Sequence, residues 1–245
     1  MNYNGEAGSA FPNTISYNRV VELSQTIHPN IPRWPGDPRV EFETVAQISD
    51  EGYRLRRISM GEHSGTHINA PSGFHEDGIS IGGFSARSLI APAVVMNAAE
   101  SSVRNADYLL TLEDVQVWEQ QFGSVPEGSI VLLYSGWQEK WDIPEAFLNL
   151  DSNGAGHFPG FGIEAVQFLI AERGVGGIGI DTHGVDGGHD QKFAVNRLIL
   201  KTPRIVLENL TNLDQLPPTG TMLAIGILRL AGGTGSPASV LALVL

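Results

Sequence analysis

The chain has 245 residues, 42% of them hydrophobic and 17% charged, and its 27 acidic against 15 basic side chains give a formal net charge of −12. Such a composition is globular and long enough to bury one large core, and the acidic balance argues against nucleic acid as a partner, since phosphate binding needs clustered Lys and Arg. With no cysteine in the sequence, disulfides, thiolate nucleophiles and cysteine-held zinc or iron–sulfur sites are excluded.

In chain order, residues 1–18 read as a polar N-terminal extension without the apolar stretch of a signal peptide, and 19–245 as a single domain. The longest apolar runs, Leu89–Met96 and Met222–Leu228, fall far below the roughly 18 residues of a membrane-spanning helix. A cytoplasmic protein with no membrane partner is expected. Strands are predicted at Val20–Ile27, Val40–Val45 and Leu55–Met60; Val40 and Phe42 alternate with Glu41 and Glu43 in the period-2 pattern of a half-buried strand. Ala93–Asn97 is a further strand, followed by a helix that Thr111 caps with Asp114 three residues on and that Gly123 ends. Ile130–Tyr134, apolar almost throughout, reads as a central strand covered on both faces. A second helix covers Ile163–Arg173, with Val166, Leu169 and Ile170 on one side and Gly174 as its stop. Gly174–Gly179 matches G-x-G-x-x-G, but it follows a helix and opens a strand, the reverse of a dinucleotide fingerprint, so it reads as a helix stop and a close-packed strand. Strands follow at Gly177–Asp181, Ile205–Leu207, Met222–Leu230 and Val240–Leu245. Asn209-Leu210-Thr211 fits a glycosylation sequon and reads as an ordinary turn. The nearly all-apolar Ala238–Leu245 must be a buried strand or lie at a subunit contact. Many strands and few helices predict an α/β fold with a mixed sheet.

Five of the seven histidines fall in two short segments: His63, His67 and His75 in HSGTHINAPSGFH, and His183 and His189 in DTHGVDGGHD. On an extended strand His63 and His67 would stand about 13 Å apart at ~3.3 Å per residue, too far to share a metal held at ~2.1 Å from each ring. Gly65 and Pro71 supply chain reversal instead. Two imidazoles on a tight bend begin a divalent-metal site that still needs a carboxylate, for which Asp181, Asp186 and Glu208 are candidates at or near strand ends. Trp34, Phe84, Trp137 and Phe161 lie in Gly/Pro-rich loops; the first three are candidates for stacking on a flat substrate.

The segment His63-Ser64-Gly65-Thr66-His67-Ile68-Asn69-Ala70-Pro71 resembles the H-x-G-T-H-x-D-x-P-x-H motif of the cyclase family of metal-dependent hydrolases, which includes kynurenine formamidases and isatin hydrolases. Trp34–Pro38, Gly179–Thr182, Glu208–Leu213 and Gly232–Pro237 fit the family pattern in order, so the resemblance runs from about Val21 to Leu245. It implies a swivelling β/β/α fold with a mixed sheet, usually dimeric, that binds zinc or manganese and hydrolyses amides or lactones. Carried over position by position, it implies metal ligands at His63, His67 and Glu208, and at Asn69, where the motif has an aspartate. The motif's acid–base histidine falls on Gly73, two residues before His75, and the histidine that helps hold a second metal in the formamidases falls on Asn196. A single-metal or mixed site is therefore expected.

The expected reaction has His63, His67, Asn69 and Glu208 holding one Zn²⁺ or Mn²⁺, which lowers the pKa of bound water from ~15.7 towards ~7. The resulting hydroxide attacks an N-formyl-aryl amide, a cyclic amide or a lactone. His75 or His183 passes the proton to the leaving group, and Asp181 orients one of these rings. The partners expected are a small-molecule substrate and a second copy of the chain. Two alternatives stay open: a small-molecule binding protein on the same scaffold, and a metal-dependent cyclase or dehydratase.

Overall fold

The two near-continuous apolar runs, Ile130–Tyr134 and Met222–Leu228, occupy the middle of the main sheet in a computed structural model, which describes residues 15–245. The strands, in chain order, are β1 (Arg19–Glu22), β2 (Glu41–Ala46), β3 (Leu55–Ser59), β4 (His67–Asn69), β5 (Ile90–Asn97), β6 (Leu109–Leu110), β7 (Ile130–Tyr134), β8 (Gly160–Phe161), β9 (Gly177–Ile180), β10 (Ile205–Glu208), β11 (Thr221–Ile227) and β12 (Gly235–Val244). Eight of them form one sheet in the order β1-β12-β11-β5-β7-β9-β10-β4, and β4 pairs again with β12, closing the sheet into a barrel. β5, β7, β9 and β10 run parallel, while β11, β12 and β4 pair antiparallel, so the sheet is mixed as predicted.

Alternation along these strands divides the apolar side chains between two layers. Val95, Ile130, Leu132 and Leu207 join Leu223, Ile225, Val240 and Ala242 in the barrel core. Val94, Met96, Val131, Leu133 and Val206 face the other way and pack on Val115, Trp118, Ala165, Val166 and Leu169 of the two longer helices. β7 is thus buried on both faces, as its apolar run requires. The helix Leu112–Phe122 carries the expected capping box: Thr111 Oγ1 accepts from Asp114 N at 3.1 Å and Asp114 Oδ2 accepts from Thr111 N at 2.8 Å, an arrangement worth about 1 kcal/mol. Gly174, at φ +59°, ends the helix Ile163–Arg173. At Gly177 a Cβ would stand 2.2 Å from the Ile205 carbonyl, so β9 and β10 approach as closely as they do only because that side chain is absent.

The structure contains elements that the sequence reading lacks, among them the short helices Ala99–Arg104, Pro144–Leu148 and Ala194–Ile199 and the strands β6 and β8. β4 is only three residues long, too short and too polar to show a period, and was not foreseen. The C-terminal apolar run is part of β12, which starts earlier, at Gly235, and lies between β1 and β11. β2 keeps the predicted alternation where it begins, with Val40 buried, Phe42 half-buried and Glu41 and Glu43 exposed, but it pairs only with β3 in a separate two-stranded ribbon in which Val45, Leu55 and Ile58 stay 50%, 48% and 53% exposed. The expected N-terminal extension over 1–18 falls, except for its last residues, outside the described region; β1 opens at Arg19. Among the described residues no helix is long and apolar enough to cross a membrane.

Candidate active site

Sheet register sets the first two site residues. β4 and β10 run antiparallel with His67 directly opposite Glu208, and side chains opposite each other project from the same face. Asn69, two residues beyond His67, shares that face by the period of the strand. His63 arrives by a bend: Gly65 takes φ +66° just before β4, and the rings of His63 and His67 come to 5.1 Å between centroids, almost perpendicular. The convergence inferred from the i, i+4 spacing is therefore real. It is made by one left-handed glycine and not by a helical turn.

Two pairs of electron-rich atoms face each other here. His67 Nε2 lies 3.0 Å from Glu208 Oε2, and His63 Nδ1 lies 2.9 Å from Asn69 Oδ1. The opposite nitrogen of His67 is 2.9 Å from the Gly65 carbonyl, so Nδ1 carries the hydrogen there. Two ligands held at ~2.1 Å and at right angles around one ion stand about 3.0 Å apart, which both pairs match. A third imidazole adds an orphaned atom: His183 Nε2 is buried with no hydrogen-bond partner among the described residues, while its Nδ1 meets Asn209 Oδ1 at 3.2 Å. Among the described residues no three His, Asp or Glu side chains form a cation site by themselves; the set is completed only by the Asn69 amide oxygen. With that oxygen counted, the residues fit a divalent cation.

Electrostatics keep the site poised. Burial pushes the Glu208 carboxyl up, but the His67 ring, the Asn196 amide and the Val185 N–H together bring it down to about 2, so it is ionised at neutral pH. Burial, with a smaller contribution from the nearby His67 ring, drives His183 down to about 4 against the opposing pull of Asn209 and Glu208, leaving a neutral ring. Asn196 Nδ2 donates to Asp186 Oδ2 at 2.9 Å and to Glu208 Oε1 at 3.2 Å, and its Oδ1 accepts from Asn69 Nδ2 at 3.1 Å. It stands where the resemblance has a histidine, and it uses all these contacts to hold two carboxylates together. These polar groups open into a cavity of about 200 Å³ walled by Trp34, Phe74, Phe158 and Phe193.

This combination of fold and site can be set beside known proteins. The family model described as "Putative cyclase" matches residues 21–187. The chain belongs to the cyclase family. It is 32% identical over 243 residues to an isatin hydrolase of Roseibium aggregatum, covering 92% of this chain and 91% of that one. It is 29% identical over 208 residues to a kynurenine formamidase of Erythrobacter litoralis, covering 82% and 83%. The solved structure of isatin hydrolase A from Ralstonia solanacearum superposes with a TM-score of 0.87 at 36% identity, covering 93% of this chain and 92% of that one.

Of the residues singled out from sequence, His63, His67, Asn69, Glu208, His183 and Trp34 all line the cavity, and Trp34 stacks on His183 at 5.4 Å. Four others do not. His75 leaves the site with the 3₁₀ turn Pro71–Gly73, and its Nε2 meets the Arg197 carbonyl at 2.9 Å. Asp181 orients no ring: its Oδ1 accepts from Ser135 N at 3.0 Å and Oγ at 2.6 Å, and its Oδ2 accepts from Gln138 N at 3.3 Å, tying down the turn after β7. Phe84 belongs to the barrel core. Trp137 packs with Trp141 and Phe147 and donates Nε1–H to the Phe147 carbonyl at 2.7 Å. Phe74, Phe158 and Phe193 line the cavity without a sequence signal that marked them, and Asp37, inside the Trp34–Pro38 family segment, lines it without having been singled out; Phe193 in particular sits at φ +53°, which no pattern around it announces.

Asp181 gives a stability test. Burial raises its carboxyl from 3.8 to about 6, so between those values the folded protein holds a proton that the unfolded chain has lost. Stability then falls as pH rises through this window, by about 3 kcal/mol for a shift of this size. In urea denaturation across pH 4–7, Asp181→Asn is expected to lose that fall relative to the unsubstituted protein; parallel curves for the two would contradict it.

Proposed function

We propose that this chain hydrolyses an amide, either an N-formyl-aryl amide or a cyclic amide, or a lactone, with one divalent cation held by His63, His67, Asn69 and Glu208. The observation that carries the reading is the buried contact of His67 Nε2 with Glu208 Oε2 at 3.0 Å, beside an unpartnered His183 Nε2 in an aromatic-walled cavity. The relatives named isatin hydrolase and kynurenine formamidase support amide chemistry. The mixed nitrogen and oxygen donor set suits zinc or manganese.

A bound divalent cation supplies Lewis acidity, making water more acidic and a carbonyl carbon more electrophilic. The remaining work belongs to the chain. Glu208 stays ionised and is oriented by the Asn196 and Val185 N–H groups, which occupy its Oε1 and leave Oε2 to the His67 side. His183 is neutral, and with its Nδ1–H directed to Asn209 it offers Nε2 to the cavity as a proton acceptor. From there it returns the proton to the departing nitrogen or oxygen. Trp34, stacked on His183, forms a wall against which a flat acyl group lies. Asn196, donating to both Asp186 and Glu208, places an amide where a second cation would need a basic nitrogen, which supports one ion per site.

The same Asn69 and Asn196 amides also favour a second reading, a binding protein that holds the cation and a flat ligand without turnover. The exposed apolar side chains of the β2–β3 ribbon, Val45, Leu55 and Ile58, support a homodimer joined there.

Activity on formanilides, isatin-like cyclic amides and aryl lactones is expected to vanish with a chelator, to return with Zn²⁺ or Mn²⁺, and to drop at least about 100-fold in a folded His67→Ala protein. Rates indifferent to both treatments would contradict the proposal, and cation binding with no turnover of any of these compounds would decide for the binding protein. In light scattering the protein is expected to run as a dimer that Ile58→Glu converts to a monomer; a monomer before substitution would remove the dimer.

A further inference from the structure

Asn209, the first residue of the sequon-like turn, has a place in the site that its surroundings define fully. It is completely buried, directly follows Glu208, and holds φ +58°. Neighbouring residues on an extended strand point to opposite faces. The left-handed twist at Asn209 breaks that alternation, so Glu208 and Asn209 both reach the histidines. Four contacts pin the residue. Its N–H donates to the Thr182 carbonyl at 2.9 Å, its carbonyl accepts from Thr66 Oγ1 at 2.6 Å, its Nδ2 donates to the Gly65 carbonyl at 2.8 Å, and its Oδ1 faces His183 Nδ1 at 3.2 Å.

The amide can bond in one orientation only. Nδ2 has to face the Gly65 oxygen, so Oδ1 has to face His183, and His183 Nδ1 therefore carries the hydrogen. The Gly65 carbonyl that Asn209 grips is also the acceptor of His67 Nδ1 at 2.9 Å. One side chain thus fixes the outer nitrogen of both rings, directly for His183 and through a shared carbonyl for His67. In both rings Nε2 is left towards the cavity. The grip on Gly65 also holds the bend that brings His63 beside His67.

We infer that Asn209 is a positioning residue that sets the Nδ1–H tautomer of His183 and, through the shared Gly65 carbonyl, orients the His67 ring, so that both rings turn Nε2 to the substrate cavity. The catalytic consequence rests on the hydrolase reading above; the tautomer itself does not. The substitution of choice is Asn209→Gly, because glycine takes φ +58° without strain and deletes only the amide. Imidazole ¹⁵N NMR of the full chain, with His183 and His67 assigned, is expected to show a single Nδ1–H form of His183 in the unsubstituted protein. In Asn209→Gly that form should give way to a mixture, and kcat for a formanilide should fall roughly 10- to 100-fold with less than a three-fold change in KM. Asn209→Asp keeps an oxygen towards His183 and loses the N–H towards Gly65, so it should retain the His183 form and disturb the His67 signals alone. An unchanged His183 tautomer in folded Asn209→Gly would overturn the inference. If Asn209→Gly does not fold, undisturbed His67 signals in Asn209→Asp would do so. Absence of turnover in every protein, with the NMR changes present, would count against the hydrolase reading and leave the positioning role standing.

Discussion

The pairing of β4 with β10 is the constraint on which the site depends. Three residues, His67 to Asn69, bridge β10 on one side and β12 on the other and so close the barrel. That closure fixes their register, and the register places His67 across from Glu208. A slip of one residue would turn both side chains to the opposite face. Barrel closure and site assembly are therefore a single event, and the His67–Glu208 pair needs no separate device to hold it. The strand is polar because its face is the site; its stability comes from neighbours on both sides rather than from its own apolar content.

Electrostatic cost is distributed around that pairing. Glu208 is buried as an anion and stays one because a ring, an amide and a backbone N–H all donate to it or face it. Asp186, close by, is pushed up to about 6 by burial despite donors from Val195 and Asn196. Asn196 joins the two carboxylates, and Asn69 continues the chain of contacts to His63. Buried polar groups of this kind hold only when each has a partner. The exception within the site is His183 Nε2, on a ring that lines the cavity.

Most of the scaffold was legible in the sequence, for physical reasons that can be named. β7 announced itself by an unbroken apolar run, the 112–122 helix by its capping box, and the 163–173 helix by its glycine stop. The convergence of His63 and His67 was legible from the bend signal at Gly65 and their spacing, while Asn69 and the choice of Glu208 among three carboxylates came only from the family resemblance. The sequence reading failed where tertiary partners decide. His75 and Asp181 are the right residue types near the right segments, yet Arg197 and the Ser135–Gln138 turn claim their polar atoms. Phe84 and Trp137 look like loop aromatics until packing draws them into the core. Asn209 read as an ordinary turn because a sequon without a secretory signal carries no further local meaning; its long-range partners, Gly65 and His183, lie beyond any local pattern.

The central claim is that the bend at Gly65 and the β4–β10 register build a place for a cation between His67 and Glu208. An anomalous difference map from crystals grown with Mn²⁺ tests it most directly. The account expects a peak within coordination distance of His67 Nε2, Glu208 Oε2, His63 and Asn69 Oδ1 together. A map without a peak there, with His67 and Glu208 still in direct hydrogen-bonded contact, would contradict it.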